Sequence, residues 1–216
     1  KSHLVTIRYQ MEVTMKVALI GATGSIGSRV LEELASRGHD VTAIVRKPEA
    51  VPAQAGVTAR KGDADDEAAL AALLAGHDAV ISAVPFLKSD PRKLIEAVRA
   101  SGVGRYLVVG GAGSLEVAPG VRLVDTPDFP PAYKAEATAG AAFLGILRQE
   151  RKLDWTFLSP SALIHPGERT GTFRLGTDQL LTNAQGSSIS FEDYAVALVD
   201  ELERPAHSRR RFTVGY

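Results

Sequence analysis

The chain has 216 residues, 25 Lys+Arg against 25 Asp+Glu, 45% hydrophobic residues and no cysteine. That length can bury one sizeable core, and the balanced charge gives no overall field for nucleic acid or an acidic membrane. The missing thiol excludes disulfides, thiolate catalysis and Cys-ligated metals.

Residues 1–14 do not fit the pattern that follows and read as an extension; Met11 and Met15 both offer starts, and 15–216 reads as a single domain. Lys16–Ile20 is a short buried strand, and the glycine-rich turn Gly21-Ala22-Thr23-Gly24-Ser25-Ile26-Gly27 follows it. A helix then runs to Arg37 with Ile26, Val30, Leu31, Leu34 and Ala35 on one face, and Gly38 stops it. Val41–Val45 is the second strand and completes a strand–helix–strand unit, the unit that builds parallel sheets. Val57–Arg60 is a third strand, and a helix capped by Asp65 runs through Leu74 to Gly76. Ala79–Val84 is a strand, Asp90-Pro91 opens a helix that Gly102 ends, and Arg105–Val109 is the fifth strand. An alanine-rich helix is expected over Ala132–Arg151, then a strand at Trp155–Leu158. Thr172–Thr182 reads as a strand or two with a turn at Gly176, and Ser190 with Asp193 caps a helix over Phe191–Glu203. Arg211–Val214 closes the series as a final strand. Repeated strand–helix connections with short loops predict an α/β, Rossmann-like doubly wound parallel sheet with a small C-terminal cap.

The turn at 21–27 has the composition a phosphate-binding loop needs. Gly21 lets the chain leave the strand sharply, Gly24 bares the main chain to a pyrophosphate, and Gly27 lets the helix pack close to the sheet. The helix N-terminus offers free N–H groups and partial positive charge, and Thr23 and Ser25 add hydroxyl donors. No apolar run reaches membrane-spanning length and no secretory signal is legible, so a cytoplasmic protein is expected.

The run Gly21–Gly27, with Gly62-Asp63-Ala64, Ser82-Ala83-Val84, Gly110-Gly111-Ala112-Gly113-Ser114-Leu115, Asp154-Trp155-Thr156, Ser159-Pro160 and Ile189–Ala195, resembles the atypical short-chain dehydrogenase/reductases. The resemblance is greatest to their NAD(P)H-binding, NmrA-like branch, which includes NADH–flavin reductase-like and biliverdin reductase B-like enzymes. It implies cofactor contacts from Gly21, Thr23, Gly24, Ser25, Ile26 and Gly27, with Asp63 near the adenine amino group and Ala83, Val84 and Gly110 beside the nicotinamide half. The second strand ends Val45-Arg46-Lys47, where an NAD site usually has a carboxylate. Arg46 and Lys47 would instead pair with a 2′-phosphate, so NADP(H) is favoured and NAD(H) is the lesser alternative.

Carbonyl-reducing members of that superfamily use a tyrosine with a lysine four positions on. Here Tyr133 is followed by Ala137, and Lys134 is adjacent instead. Tyr133 is thus either a proton donor without its partner or a helix-start residue packing on the loop. Ser114 either hydrogen-bonds a substrate oxygen or the nicotinamide amide, or satisfies its own loop. Phe86, Phe129, Tyr133 and Phe173 could form a stacking wall for an acceptor, or anchor loops; His39 and His77 read as structural. Hydride transfer to a flavin or quinone asks little acid–base chemistry of the protein, and flavin would be a dissociable substrate. The expected function is an NADPH-dependent reductase of a small-molecule acceptor, acting as a monomer or homodimer, with no nucleic acid, membrane or metal partner. The alternatives are an NADP-binding sensor without turnover and, third, an epimerase- or dehydratase-like enzyme.

Overall fold

The computed structural model describes residues 14–216; the extension expected over 1–14 lies, Thr14 aside, outside the described residues. In chain order the first half comprises β1 (Lys16–Ile20), α1 (Ser25–Ser36), β2 (Asp40–Val45), β3 (Val57–Lys61), α2 (Glu67–Leu74), β4 (Ala79–Ser82), α3 (Pro91–Ser101) and β5 (Arg105–Val109). A small hairpin follows, β6 (Glu116–Ala118) with β7 (Val121–Arg122), then α4 (Pro131–Leu147) and β8 (Asp154–Ser159). The remainder is β9 (Leu163–His165), β10 (Arg174–Gly176), β11 (Ser188–Ser190), α5 (Phe191–Glu203) and β12 (Arg210–Gly215).

Eight strands form one sheet in the order β10-β12-β8-β5-β4-β1-β2-β3, parallel throughout except for β10, which runs antiparallel on β12. Inner strands such as β1, β4 and β8 are buried along nearly their whole length because helices cover both faces. Their side chains alternate between two cores. Val17, Leu19, Val41, Phe212 and Val214 pack with α1 and α5 on one face. Ala18, Ile20, Val80, Tyr106 and Trp155 pack with α2, α3 and α4 on the other. This is the doubly wound sheet expected.

The differences have local causes. The cap of α2 is Asp66, whose carboxylate accepts from Ala69 N at 3.1 Å; Asp65 instead donates its backbone N–H to Asp63. The helix expected to reach Arg151 stops at Leu147, where Glu150 folds back to accept from the backbone of Lys152 and Leu153. β4 ends at Ser82 rather than Val84. In the stretch 172–182 only Arg174–Gly176 is strand, and Gly176 ends it against Leu181 and Thr213 rather than making a turn. The mini-sheet β9–β11 and the hairpin β6–β7 were not foreseen; each has two or three residues per strand and no apolar run to announce it.

Candidate functional site

Strand order reverses at β1, which pairs with β2 on one side and β4 on the other. Ligands in open parallel sheets bind beyond the carboxyl ends of the strands at such a point. Gly21 leaves β1 there with φ +86°, and a Cβ on it would sit 2.6 Å from the Ala83 carbonyl oxygen at the end of β4. A Cβ on Gly27 would overlap the Gly21 carbonyl. The first and third glycines are therefore demanded by the protein's own packing. Gly24 is different: a Cβ on it would meet nothing nearer than Gly21 O at 3.6 Å, and its φ of −73° suits any residue. Gly24 is also the N-cap of α1, and no side chain caps that helix. Uncapped N–H groups behind a bare turn make a cradle that an anion can fill.

A cleft of about 300 Å³ opens at this turn and brings together Gly21, Thr23, Gly24, Arg46, Asp63, Ala83 and Val84. Arg46 stands exposed at the end of β2. Asp63 lines the cleft while one of its oxygens accepts from Asp65 N at 3.0 Å. Lys88, from the turn after β4, lines it as well. Lys47 lies outside that lining; its carbonyl accepts from Ala50 in the helical turn 48–50. Ser25, Ile26 and Gly27 form the first turn of α1, with Ile26 packed on the core beneath. A larger groove, about 580 Å³, lies among α2, α3 and α4, away from the turn. Arg99 in it is already paired with Glu96 and Glu150.

The NAD(P)H-binding family matches residues 21–205. The chain belongs to that family. A Burkholderia pseudomallei protein, provisionally described as exported, is 49% identical with TM-score 0.86, covering 94% of this chain and 100% of its own. A Bacteroides thetaiotaomicron protein provisionally described as an epimerase is 42% identical with TM-score 0.90, covering 94% and 98%. A Streptococcus pneumoniae protein provisionally described as an NADH-flavin reductase is 40% identical with TM-score 0.81, covering 93% and 99%. These matches agree with the resemblance to the NmrA-like branch read from the motifs. No described helix is long and apolar enough to cross a membrane.

Gly110, Ser114 and Tyr133, also expected at the site, are not part of the cleft lining. Gly110 ends β5; its N–H is shared between Leu158 O at 2.9 Å and Tyr194 Oη at 3.2 Å, and a Cβ on it would strike the Phe157 ring. Tyr194 is fully buried and donates to Leu158 O at 2.7 Å, and burial pushes its phenol well above the usual range. Ser114 Oγ is turned onto Arg211, accepting from Nη1 at 3.2 Å. The buried Arg211 is in turn held by Asp178 through Nε at 2.9 Å and Nη2 at 2.5 Å. Tyr133 stands 67% exposed in the first turn of α4. Four residues on, Ala137 packs against the glycine loop: a Cβ on Gly113 would lie 2.9 Å from Ala137 Cβ. The loop thus closes over the place where a partner lysine would start.

The aromatic wall is not assembled. Phe86 is stacked on Phe157 with ring centroids 6.2 Å apart and meets Phe143 edge-on at 6.0 Å, in the core on the α4 face. Phe173 packs against the core on the α1–α5 face, so the sheet separates the two. His39 accepts from Met15 N at 3.2 Å and pairs with Glu203, and His77 bridges Leu74 O and Thr42; both are structural, as expected. His165 lies in β9 and donates from Nδ1 to Pro166 O at 2.9 Å. No described group of His, Asp and Glu is arranged to hold a metal ion. Glu136, Tyr194 and Arg211 have partners that lie far away in the chain and leave no local pattern in the sequence, and Lys88 is brought to the cleft by the turn after β4.

Proposed function

We propose that the protein is an NADPH-dependent reductase that passes hydride to a flavin, quinone or similar small acceptor. The observation that carries this is Arg46 at the lip of the glycine-turn cleft, where a cofactor lacking the 2′-phosphate would favour a carboxylate. The uncapped start of α1 and the bare backbone at Gly24 would receive the pyrophosphate, and Thr23 and Ser25 would add hydroxyl donors. Asp63 would address the adenine, while Ala83, Val84 and Gly110 would wall the other half. The nicotinamide, when bound, supplies the hydride. The residues of this chain orient it and keep water out. An acceptor whose reduced form takes its proton from water needs no Tyr–Lys pair, which suits Tyr133 with Ala137 four positions on. The name of the Streptococcus relative supports a flavin acceptor, held as a dissociable substrate. We place the protein in the cytoplasm, where NADPH is produced. One observation favours a second reading, a dinucleotide sensor without turnover: Ser114 is engaged by Arg211, and Tyr133 lacks its lysine.

The test is titration calorimetry of wild type and Arg46→Ala with NADPH and NADH, followed by mixing with FMN and menadione. A charge-assisted bond contributes about 1.5–3 kcal/mol, so Arg46→Ala should weaken NADPH roughly tenfold or more and NADH little. Equal losses for both nucleotides would remove the 2′-phosphate assignment. Tight binding with no oxidation across a broad acceptor panel would leave the sensor.

A further inference from the structure

The turn after β4, residues Phe86–Lys88, is a single helical turn whose flanks face the cleft: Ala83, Val84 and Pro85 lead into it and Lys88 ends it. A turn this short cannot fix its own position. Its first N–H groups have no partner within it. Both are taken by one side chain 50 residues away: Phe86 N donates to Glu136 Oε1 at 2.6 Å and Leu87 N to Oε2 at 3.0 Å. One helical turn further along α4, Gly140 opens a notch for the Phe86 ring, and a Cβ there would lie 2.7 Å from it. Positions 136 and 140 share a helix face, so the backbone and side chain of the turn seat on α4 side by side. A carboxylate suits this place. Two consecutive N–H groups present a small positive concavity, and a charged acceptor binds it about twice as strongly as a neutral one.

We propose that Glu136 is a cofactor-positioning residue: it fixes the Val84–Lys88 wall of the cleft on α4 and so sets the shape that receives the dinucleotide. This rests on the reading that the cleft binds NADPH. Glu136 acts on a wall and not on the 2′-phosphate, so its removal should weaken NADPH and NADH by the same factor, unlike removal of Arg46. The experiment is fluorescence titration of wild type, Glu136→Ala and Glu136→Gln with both nucleotides, well below each protein's melting temperature. Glu136→Ala should bind both roughly tenfold more weakly. Glu136→Gln, whose carbonyl can accept one of the two bonds, should recover part of the loss, and carries the test if the alanine variant does not fold. In turnover, KM for NADPH should rise while kcat at saturation holds. Variants that melt earlier but bind both nucleotides as wild type does would overturn the inference and reduce Glu136 to a purely structural tie. Wild-type protein that ignores NADPH would instead overturn the cofactor reading itself.

Discussion

Replacing Gly24 with alanine should leave the fold intact and cripple nucleotide binding, and replacing Gly27 should damage both. At position 24 the new methyl group meets Gly21 O at 3.6 Å and Ala83 O at 3.8 Å, ordinary contacts, in a backbone conformation open to alanine. Loss of freedom in the unfolded chain favours the variant by about 0.4–1 kcal/mol. Alanine is a poorer N-cap than glycine by a similar amount, so the two nearly cancel. For a chain this size each kcal/mol moves Tm by about 2–4 °C, so the melt should shift by about 3 °C at most. Binding is another matter, because the methyl group would stand where the proposed pyrophosphate approaches the N–H groups of α1. Losing one charge-assisted bond there costs about 1.5–3 kcal/mol, a weakening of roughly tenfold to a hundredfold. At position 27 the methyl group overlaps the Gly21 carbonyl, and relief requires moving α1 off the sheet. Overpacking of that kind costs about 1–3 kcal/mol or more, so Tm should fall by several degrees along with affinity. Thermal melts paired with NADPH titrations read both quantities. Gly24→Ala protein that binds like wild type would refute the placement of the phosphates at this turn.

Tyr194→Phe removes a buried hydroxyl that joins Leu158 O to Gly110 N, and should cost about 1 kcal/mol, read as a drop in Tm of about 2–4 °C. Glu33 gives a pH prediction. Burial alone would raise its carboxyl, but hydrogen bonds from Arg169 and Arg37 outweigh that and hold it below the ordinary 4.5. A lowered carboxylate stabilises the fold above its unfolded value and loses that contribution as pH falls through the folded one. Wild type should therefore lose stability from about pH 4.5 downward more steeply than Glu33→Gln, while the variant should be less stable at neutral pH; parallel melting curves across that window would contradict the ion-pair assignment.

How legible each element was followed its burial. β1, β2, β5 and β8 are inner strands, and their mainly apolar runs, broken only by Thr42 in β2 and Thr156 in β8, marked them within a residue or so of their true ends. α5 was read to the residue because its cap, Ser190 accepting from Asp193 N at 3.0 Å, is a local event. The glycine turn was legible because its demands fall within seven consecutive positions. What failed was non-local. The Asp65 cap belonged one residue on, since a run of three aspartates within four positions offers several equivalent starts and only the packing of Leu70 and Leu74 chooses. Phe86 and Phe173 read alike as loop aromatics, yet the sheet sends them to opposite cores. Glu136 and Arg211 have partners about 50 and 33 residues off, so neither had a spacing to announce it.

The placement of β12 has a consequence for how the protein is made. Residues 210–215 do not finish the sheet at its rim; they insert between β8 and β10, and Phe212 and Val214 complete the bed on which α5 lies. A nascent chain that has released everything through α5 has β8 as an open border, with Phe157 and Leu158 beside unpaired backbone groups and without Phe212 and Val214 in the core that α5 shares. Unpaired apolar edges of that sort are what neighbouring chains add to. A chain broken off shortly before residue 210 would thus aggregate and not merely lose a little stability.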